Sequence, residues 1–159
     1  MKLNSLQEFI CDTCGEKINS IEDGYVEFMK DAASQELNEF HIVHNKPSSP
    51  LEGDGKCFQH ENEPGRRDLP LSHFFGQDSL NRIYSFLDAG VFIYPNNDGP
   101  RIGNIREYVD FMRRLTIPNY EEARQYMQDA EEDNLFDGAN ETGIYSQRKL
   151  LEIIDRYST

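Results

Sequence analysis

The pattern of hydrophobic and polar residues predicts two short β-strands in the first third of the chain. Apolar and polar side chains alternate from Tyr25 to Met29 and again from Glu39 to His44. A polar linker separates the two stretches, so together they predict an antiparallel β-hairpin. The next segment, residues 45–68, is rich in Pro, Gly, Ser and charge and has almost no periodicity. It predicts a long loop that needs another interaction to hold it in place.

Helical periodicity dominates the remainder of the chain. Apolar residues recur three to four positions apart in stretches that begin after Asp78, near Ile102 and near Ser146, and each stretch predicts a helix. The sequence Asn119-Tyr120-Glu121-Glu122 resembles a capping box and predicts a further helix start. The apolar run Val91-Phe92-Ile93-Tyr94 predicts a short buried strand, closed by a turn over residues 95–100.

These elements predict an α+β fold. The predicted organisation is a small β module with a long loop over residues 1–68, followed by a mainly α-helical part over residues 69–159. A chain of 159 residues has the size of one domain, so we expect the two parts to pack together as one compact body.

The net charge and the lack of long apolar runs each argue against one class of protein. The chain carries 29 acidic and 16 basic residues, which gives a formal charge of −13 spread over both halves. Nucleic-acid binding depends on neutralising phosphates with Lys and Arg, so a general DNA or RNA binder is not expected. No apolar run approaches the ~18–20 residues that span a bilayer, and the first residues lack the apolar segment of a signal peptide. We therefore expect a cytoplasmic protein without membrane contact.

Three cysteines carry the most identifiable chemistry. Cys11 and Cys14 form a C-x-x-C pair followed by Gly15, and Cys57 lies in the middle of the predicted loop. In a cytoplasmic protein this usage indicates metal ligands rather than a disulfide framework. Two thiolates at this spacing can bind one ion from a tight turn, and the glycine permits the positive φ that directs backbone N–H groups at sulfur.

The sequence Cys11-Asp12-Thr13-Cys14-Gly15-Glu16-Lys17-Ile18 resembles the zinc knuckle of zinc ribbons, treble clefs and LIM-like modules, whose pattern is C-x-x-C-G-x-x-I/L. The resemblance covers residues 11–60 and implies a hairpin after the knuckle and a second pair of ligands further along. Cys57-Phe58-Gln59-His60 has the spacing for that pair, which predicts one zinc ion in a Cys₃His site. The β module would then be stapled by this ion.

Two histidines compete equally for the fourth position. His60 would form a short chelate with Cys57, whereas His44 would be presented by a rigid strand. His41 is a weaker candidate, because strand alternation places it on the face opposite His44. Three Cys ligands quench most of the charge of the ion, so we expect a structural zinc that activates water poorly.

These features predict a non-catalytic protein-interaction or regulatory module that binds another protein. An acidic inhibitor that mimics nucleic acid and occupies a basic groove is one alternative. A metal-dependent hydrolase or HNH-like nuclease that uses His41, His44 or His60 is another. The run from His41 to Asn45 looks superficially like such a nuclease, but Asn45 stands where that family has a paired histidine. No catalytic residue is predicted.

Overall fold

The computed structural model describes residues 1–53, 56–93 and 101–158. Within these residues, two small antiparallel sheets form in the N-terminal part and helices follow them, which confirms the predicted α+β fold. The first sheet pairs strand β1 with β2, and the second has the strand order β4-β3-β5. The strands are β1 Phe9–Ile10, β2 Lys17–Ile18, β3 Gly24–Lys30, β4 Leu37–His44 and β5 Arg66–Pro70.

The predicted hairpin is the pair β3 and β4. Gly24 lies opposite His44 at one end and Lys30 lies opposite Leu37 at the other. The register shifts between Glu27 and Met29, and Glu39 on the facing strand has a φ of 55°. One extra residue in β4 therefore forms a bulge, which accommodates the left-handed backbone of Glu39.

Strand β5 begins in the segment that the sequence predicted as a loop, residues 45–68, and ends two residues beyond it. Arg66–Pro70 pairs antiparallel with β3, from Arg66 opposite Met29 to Pro70 opposite Tyr25. Because most of its residues are charged, the sequence of β5 shows no alternation of apolar and polar side chains. Strand β3 supplies the backbone partners that make it a strand. The predicted boundary at residue 68 lies inside β5.

Six α-helices occur in the described part of the chain. The helices expected after Asp78 and near Ser146 begin at these positions, and the Ser146 hydroxyl accepts a hydrogen bond from the Lys149 N–H. The predicted capping box does not form, because Asn119 has a left-handed φ of 65° and its side chain caps nothing. The helices are α1 Ser79–Leu87, α2 Ile105–Thr116, α3 Tyr120–Ala123, α4 Met127–Glu132, α5 Glu141–Ile144 and α6 Gln147–Tyr157.

The buried strand predicted at 91–94 is wrong for its first three residues. Val91, Phe92 and Ile93 form a turn, and Phe92 is 98% exposed. An apolar run becomes a strand only where a neighbouring strand offers backbone partners, and none of the described strands pairs with these residues. Tyr94 and the predicted turn at 95–100 lie outside the described residues.

Among the residues that the structure describes, two hydrophobic clusters form the core. The larger one packs the three-stranded sheet against α1 and α2 and draws on both sides of residue 68. Aromatic rings meet at its centre, where Phe40 contacts Phe86, Tyr108 and Phe111 at 5.0–5.6 Å between centroids. The smaller cluster joins the C-terminal helices and contains Tyr120, Ala123, Ala130, Leu150 and Ile153.

Candidate metal centre

The turn between β1 and β2 carries the C-x-x-C pair. The Cys11 N–H donates to the carbonyl of Glu16, and the Gly15 N–H donates to the carbonyl of Cys11, both at 2.9 Å. Gly15 has a φ of +75°, which confirms the positive φ expected from the sequence. A Cβ at this glycine would meet no atom within 4 Å. The glycine is therefore required by the backbone conformation and not by lack of space.

Two further segments approach this turn. His44 is the last residue of β4, where pairing with β3 fixes its backbone. The loop that contains Cys57 is held by the Thr13 hydroxyl, which donates to the Cys57 carbonyl at 2.7 Å. On its other side, the Cys57 N–H donates to the Ser49 hydroxyl at 3.2 Å. The Thr13 contact thus joins the knuckle to the loop beside the cysteines, and the Ser49 contact orders the loop itself.

Cys11, Cys14, His44 and Cys57 form one cluster that could hold a metal ion. Their potential ligand atoms all lie within 4.8 Å of one another. The Sγ of Cys14 and the Nδ1 of His44 are 3.6 Å apart. Tetrahedral zinc, with bonds of about 2.3 Å to sulfur and 2.0–2.1 Å to nitrogen, separates its ligands by roughly 3.5–3.8 Å. Small inward movements of the side chains would therefore bring all four to one ion.

The hydrogen bond of His44 directs the correct ring nitrogen at the cluster. Nε2 lies 3.2 Å from the backbone carbonyl oxygen of Lys17. A carbonyl can only accept a hydrogen bond, so we assign the ring proton to Nε2, and Nδ1 keeps a free lone pair facing Cys14. This arrangement, with one nitrogen at the metal and the other on a backbone carbonyl, is common among metal-binding histidines.

His60 lies outside the cluster and contacts a different partner. Its Nδ1 is 2.8 Å from Oε1 of Glu27, and its Nε2 is 3.8 Å from a carboxylate oxygen of Asp68. Glu27 is 1% exposed and also accepts the backbone N–H groups of Gln59 and His60. The structure therefore places His44, and not His60, beside the three cysteines. His41 points to solvent.

Burial controls the protonation of the thiols. Removal of the Cys14 thiolate from water raises its pKa to about 12, and the neighbouring thiols of Cys11 and Cys57 add to that shift. Burial also raises the pKa of Cys57. Without an ion, Cys14 and Cys57 are neutral thiols near neutral pH. Metal binding must therefore release their protons, so the apparent affinity increases with pH.

A buried ion-pair network connects the knuckle to the helices. Asp12, between the two cysteines of the C-x-x-C pair, accepts the Ile42 N–H at 2.7 Å and a guanidinium N–H of Arg114 at 2.6 Å. Arg114 is 4% exposed and also donates twice to Glu121. Burial by itself would lower the pKa of Arg114, but the charges of Asp12 and Glu121 raise it overall. Sequence patterns gave no signal for this network, because its members are far apart in the chain.

Compared with models of protein families, with curated proteins and with solved structures, the chain has no match. Within the described residues, no helix combines the length and apolar character needed to cross a bilayer. The class of the protein is therefore described by its own fold and cluster. It is an α+β chain in which the N-terminal knuckle, the end of β4 and the loop of Cys57 form a possible Cys₃His metal centre.

Proposed function

We propose that Cys11, Cys14, His44 and Cys57 bind one structural zinc ion, and that the chain is a non-catalytic protein-interaction or regulatory module built around it. The convergence of four potential ligand atoms within 4.8 Å, from three separate segments, carries this proposal. Thiolate and imidazole are ligands that zinc favours, and Cys₃His is an established set for structural zinc.

The ligand set supports a structural role over a catalytic one. Four protein ligands complete a tetrahedron, whereas a catalytic zinc keeps one position for water or substrate. Three thiolates also more than neutralise the two positive charges of the ion, which weakens it as a Lewis acid. Cys11 and Cys57 are 1% and 0% exposed, so a substrate has no direct path to these ligands.

The charge and the state of the cysteines support the remaining parts of the proposal. A formal charge of −13 favours a partner with basic surface and disfavours nucleic acid. The three cysteines are free of disulfides, and thiolate ligands persist in a reducing compartment such as the cytoplasm. We therefore propose a cytoplasmic protein that acts by binding another protein.

Metal analysis and cobalt substitution test the zinc site. The chain is purified without chelator, and its metal content is measured by inductively coupled plasma mass spectrometry against the protein concentration. One zinc per chain is expected. Replacement by Co²⁺ should give the intense d–d bands of a tetrahedral ion together with thiolate-to-metal charge transfer. No stoichiometric metal, or the weak spectrum of an octahedral, water-bound ion, would contradict the proposal.

Crosslinking in the native cell tests the interaction role. The tagged chain is crosslinked before lysis, purified under denaturing conditions and analysed by mass spectrometry. A specific protein recovered in near-stoichiometric amount is the expected result. Recovery of no specific protein would contradict an interaction role and leave the zinc site to be judged by its own test.

A further inference from the structure

A second concave site lies among the C-terminal helices, and none of its lining residues belongs to the metal cluster. It is an open cleft of about 730 Å³. This volume falls within the roughly 300–1,000 Å³ typical of ligand-binding clefts. The lining comes from α2, α3, α4, α5 and the segments that join them. It combines acidic side chains with aromatic and aliphatic ones.

The cleft has an excess of negative charge. Asp110, Glu131 and Glu132 line it, and Arg124 is the one cation among the lining residues. Arg124 is already paired with Asp12 at 3.1 Å and with Glu121 at 3.0 Å. Its charge is therefore balanced outside the cleft. Within the described residues, the Glu131 carboxylate has no hydrogen bond or ion pair, so it is free to meet a cation.

Hydrogen bonding holds Asp110 in place as an acceptor. The Tyr120 hydroxyl donates to Oδ1 of Asp110. Burial, and then the adjacent Asp110 carboxylate, raise the pKa of Tyr120, so the hydroxyl keeps its proton and remains a donor. Oδ2 of Asp110 has no hydrogen-bond partner in the described part of the chain. It is positioned to accept from a bound ammonium or guanidinium group.

The aromatic wall is suited to the same kind of ligand. The rings of Tyr120 and Tyr145 lie 5.9 Å apart at an angle of 61°. The guanidinium of Arg113 stacks on Tyr145, 3.8 Å from the ring centroid, so the protein already uses this ring to bind a cation. Phe136 and Ile144 add apolar surface beside the acidic groups.

We propose that this cleft binds a basic segment of a partner protein, with Arg or Lys side chains against Asp110 and Glu131 and an apolar side chain against Phe136 and Ile144. The proposal rests on the interaction role proposed above and gives that role a surface and a partner chemistry. A nucleic acid would be repelled by the carboxylates. A bare metal cation would make no use of the aromatic wall, and a small amine would fill only part of the cleft.

Calorimetric titration of the zinc-loaded full chain with a hexapeptide of alternating Arg and Leu tests this proposal. The double variant D110N/E131Q should bind roughly three- to tenfold more weakly, as expected for the loss of two partly exposed ion pairs. Asn retains the acceptor for Tyr120, and the Glu131 carboxylate has no partner to lose among the described residues, so the fold should persist. The matched control E36Q/D78N removes the same charge from exposed positions outside the cleft. Solvent screening should limit its effect to less than about twofold.

An NMR titration of the zinc-loaded full chain with the same peptide locates the peptide by chemical-shift changes. Perturbations should concentrate at Tyr145 and Phe136, and a peptide with Glu in place of each Arg should not bind. Equal weakening by the two double variants, no binding to the unmodified chain, or shifts outside the cleft would each overturn the proposal. If the zinc-loaded D110N/E131Q variant crosslinks to the partner in the same yield as the unmodified chain, the proposal is overturned as well. That last result would leave the proposed function standing, so the two failures are distinguishable.

Discussion

His44 and His60 show how a hydrogen-bond partner decides the role of a side chain. The Nε2 of His44 lies against the carbonyl of Lys17, which leaves Nδ1 available to a metal. The Nδ1 of His60 faces the carboxylate of Glu27 instead. Glu27 also accepts the backbone N–H groups of Gln59 and His60, which follow Cys57 closely in the chain. It therefore fixes the position of the loop that carries this cysteine. We interpret His60 as a residue that positions this loop.

Zinc affinity of the variants H44A and H60Q tests these two roles. H60Q should still bind one zinc per chain but lose about 1–3 kcal/mol of unfolding free energy, because the buried Glu27 carboxylate keeps a weaker partner. H44A should lose more zinc affinity than the roughly 10–100-fold cost of removing an outer partner of a ligand. Competition with a chromophoric chelator and urea unfolding give the two quantities. Normal affinity in H44A together with lost affinity in H60Q would reverse the assignment.

At the scale of elements, the knuckle and the helices are joined by charge as well as by apolar packing. Arg114 on α2 contacts Asp12 of the knuckle and Glu121 of α3, and it also donates to the carbonyl of Ile10 at the end of β1. The knuckle, α3 and β1 therefore all place polar groups around the buried guanidinium of Arg114. Removal of that cation would leave the buried Glu121 carboxylate, and to a smaller extent the partly exposed Asp12 carboxylate, without this compensating charge, which is costly.

Substitution of Arg114 by Met should be strongly destabilising. We expect a loss of about 3–5 kcal/mol in the free energy of unfolding, since R114M removes much of the compensation of the buried Glu121 carboxylate and one cation from the partly exposed Asp12. R156M is the matched control, because Arg156 pairs with Asp133 at the exposed surface. It should cost less than about 1 kcal/mol. Urea unfolding followed by circular dichroism measures both, and equal losses would contradict a special role for the buried network.

At the scale of the whole molecule, a metal ion would hold in place a long segment that contributes little to the hydrophobic core. The sheet is covered by α1 and α2 on one side, and the C-terminal helices form a separate hydrophobic cluster. The segment between β4 and β5 has few apolar residues to hold it. It is attached through the buried side chains of Cys57 and Phe58, through the Thr13 hydroxyl on the Cys57 carbonyl, and through Glu27. An ion at the cluster would bind this segment to the knuckle and to β4 at once.

Exhaustive chelation should therefore destabilise the N-terminal part first. A structural zinc supplies folding free energy on the order of 10 kcal/mol, which is comparable to the whole stability of a small domain. We expect a lower melting temperature, with hydrogen exchange accelerated in the knuckle, β4 and the loop of Cys57 before α6. Addition of zinc should restore both properties and serves as the control. C57S should behave like the chelated chain. A melting temperature unchanged by complete metal removal would contradict this expectation.

Local sequence determined the features whose interactions are local. The C-x-x-C-Gly turn and the start of α6 at Ser146 depend on residues a few positions apart, and the β3–β4 hairpin joins two neighbouring strands that each show their own alternation, so their patterns could be recognised directly. Tertiary structure alone decided between His44 and His60, made the end of the predicted loop part of strand β5 and exposed Val91–Ile93. It also paired Asp12 with Arg114 across 102 positions. In each of these cases the energy of a residue depends on a partner that only folding brings near, and no local pattern records that partner.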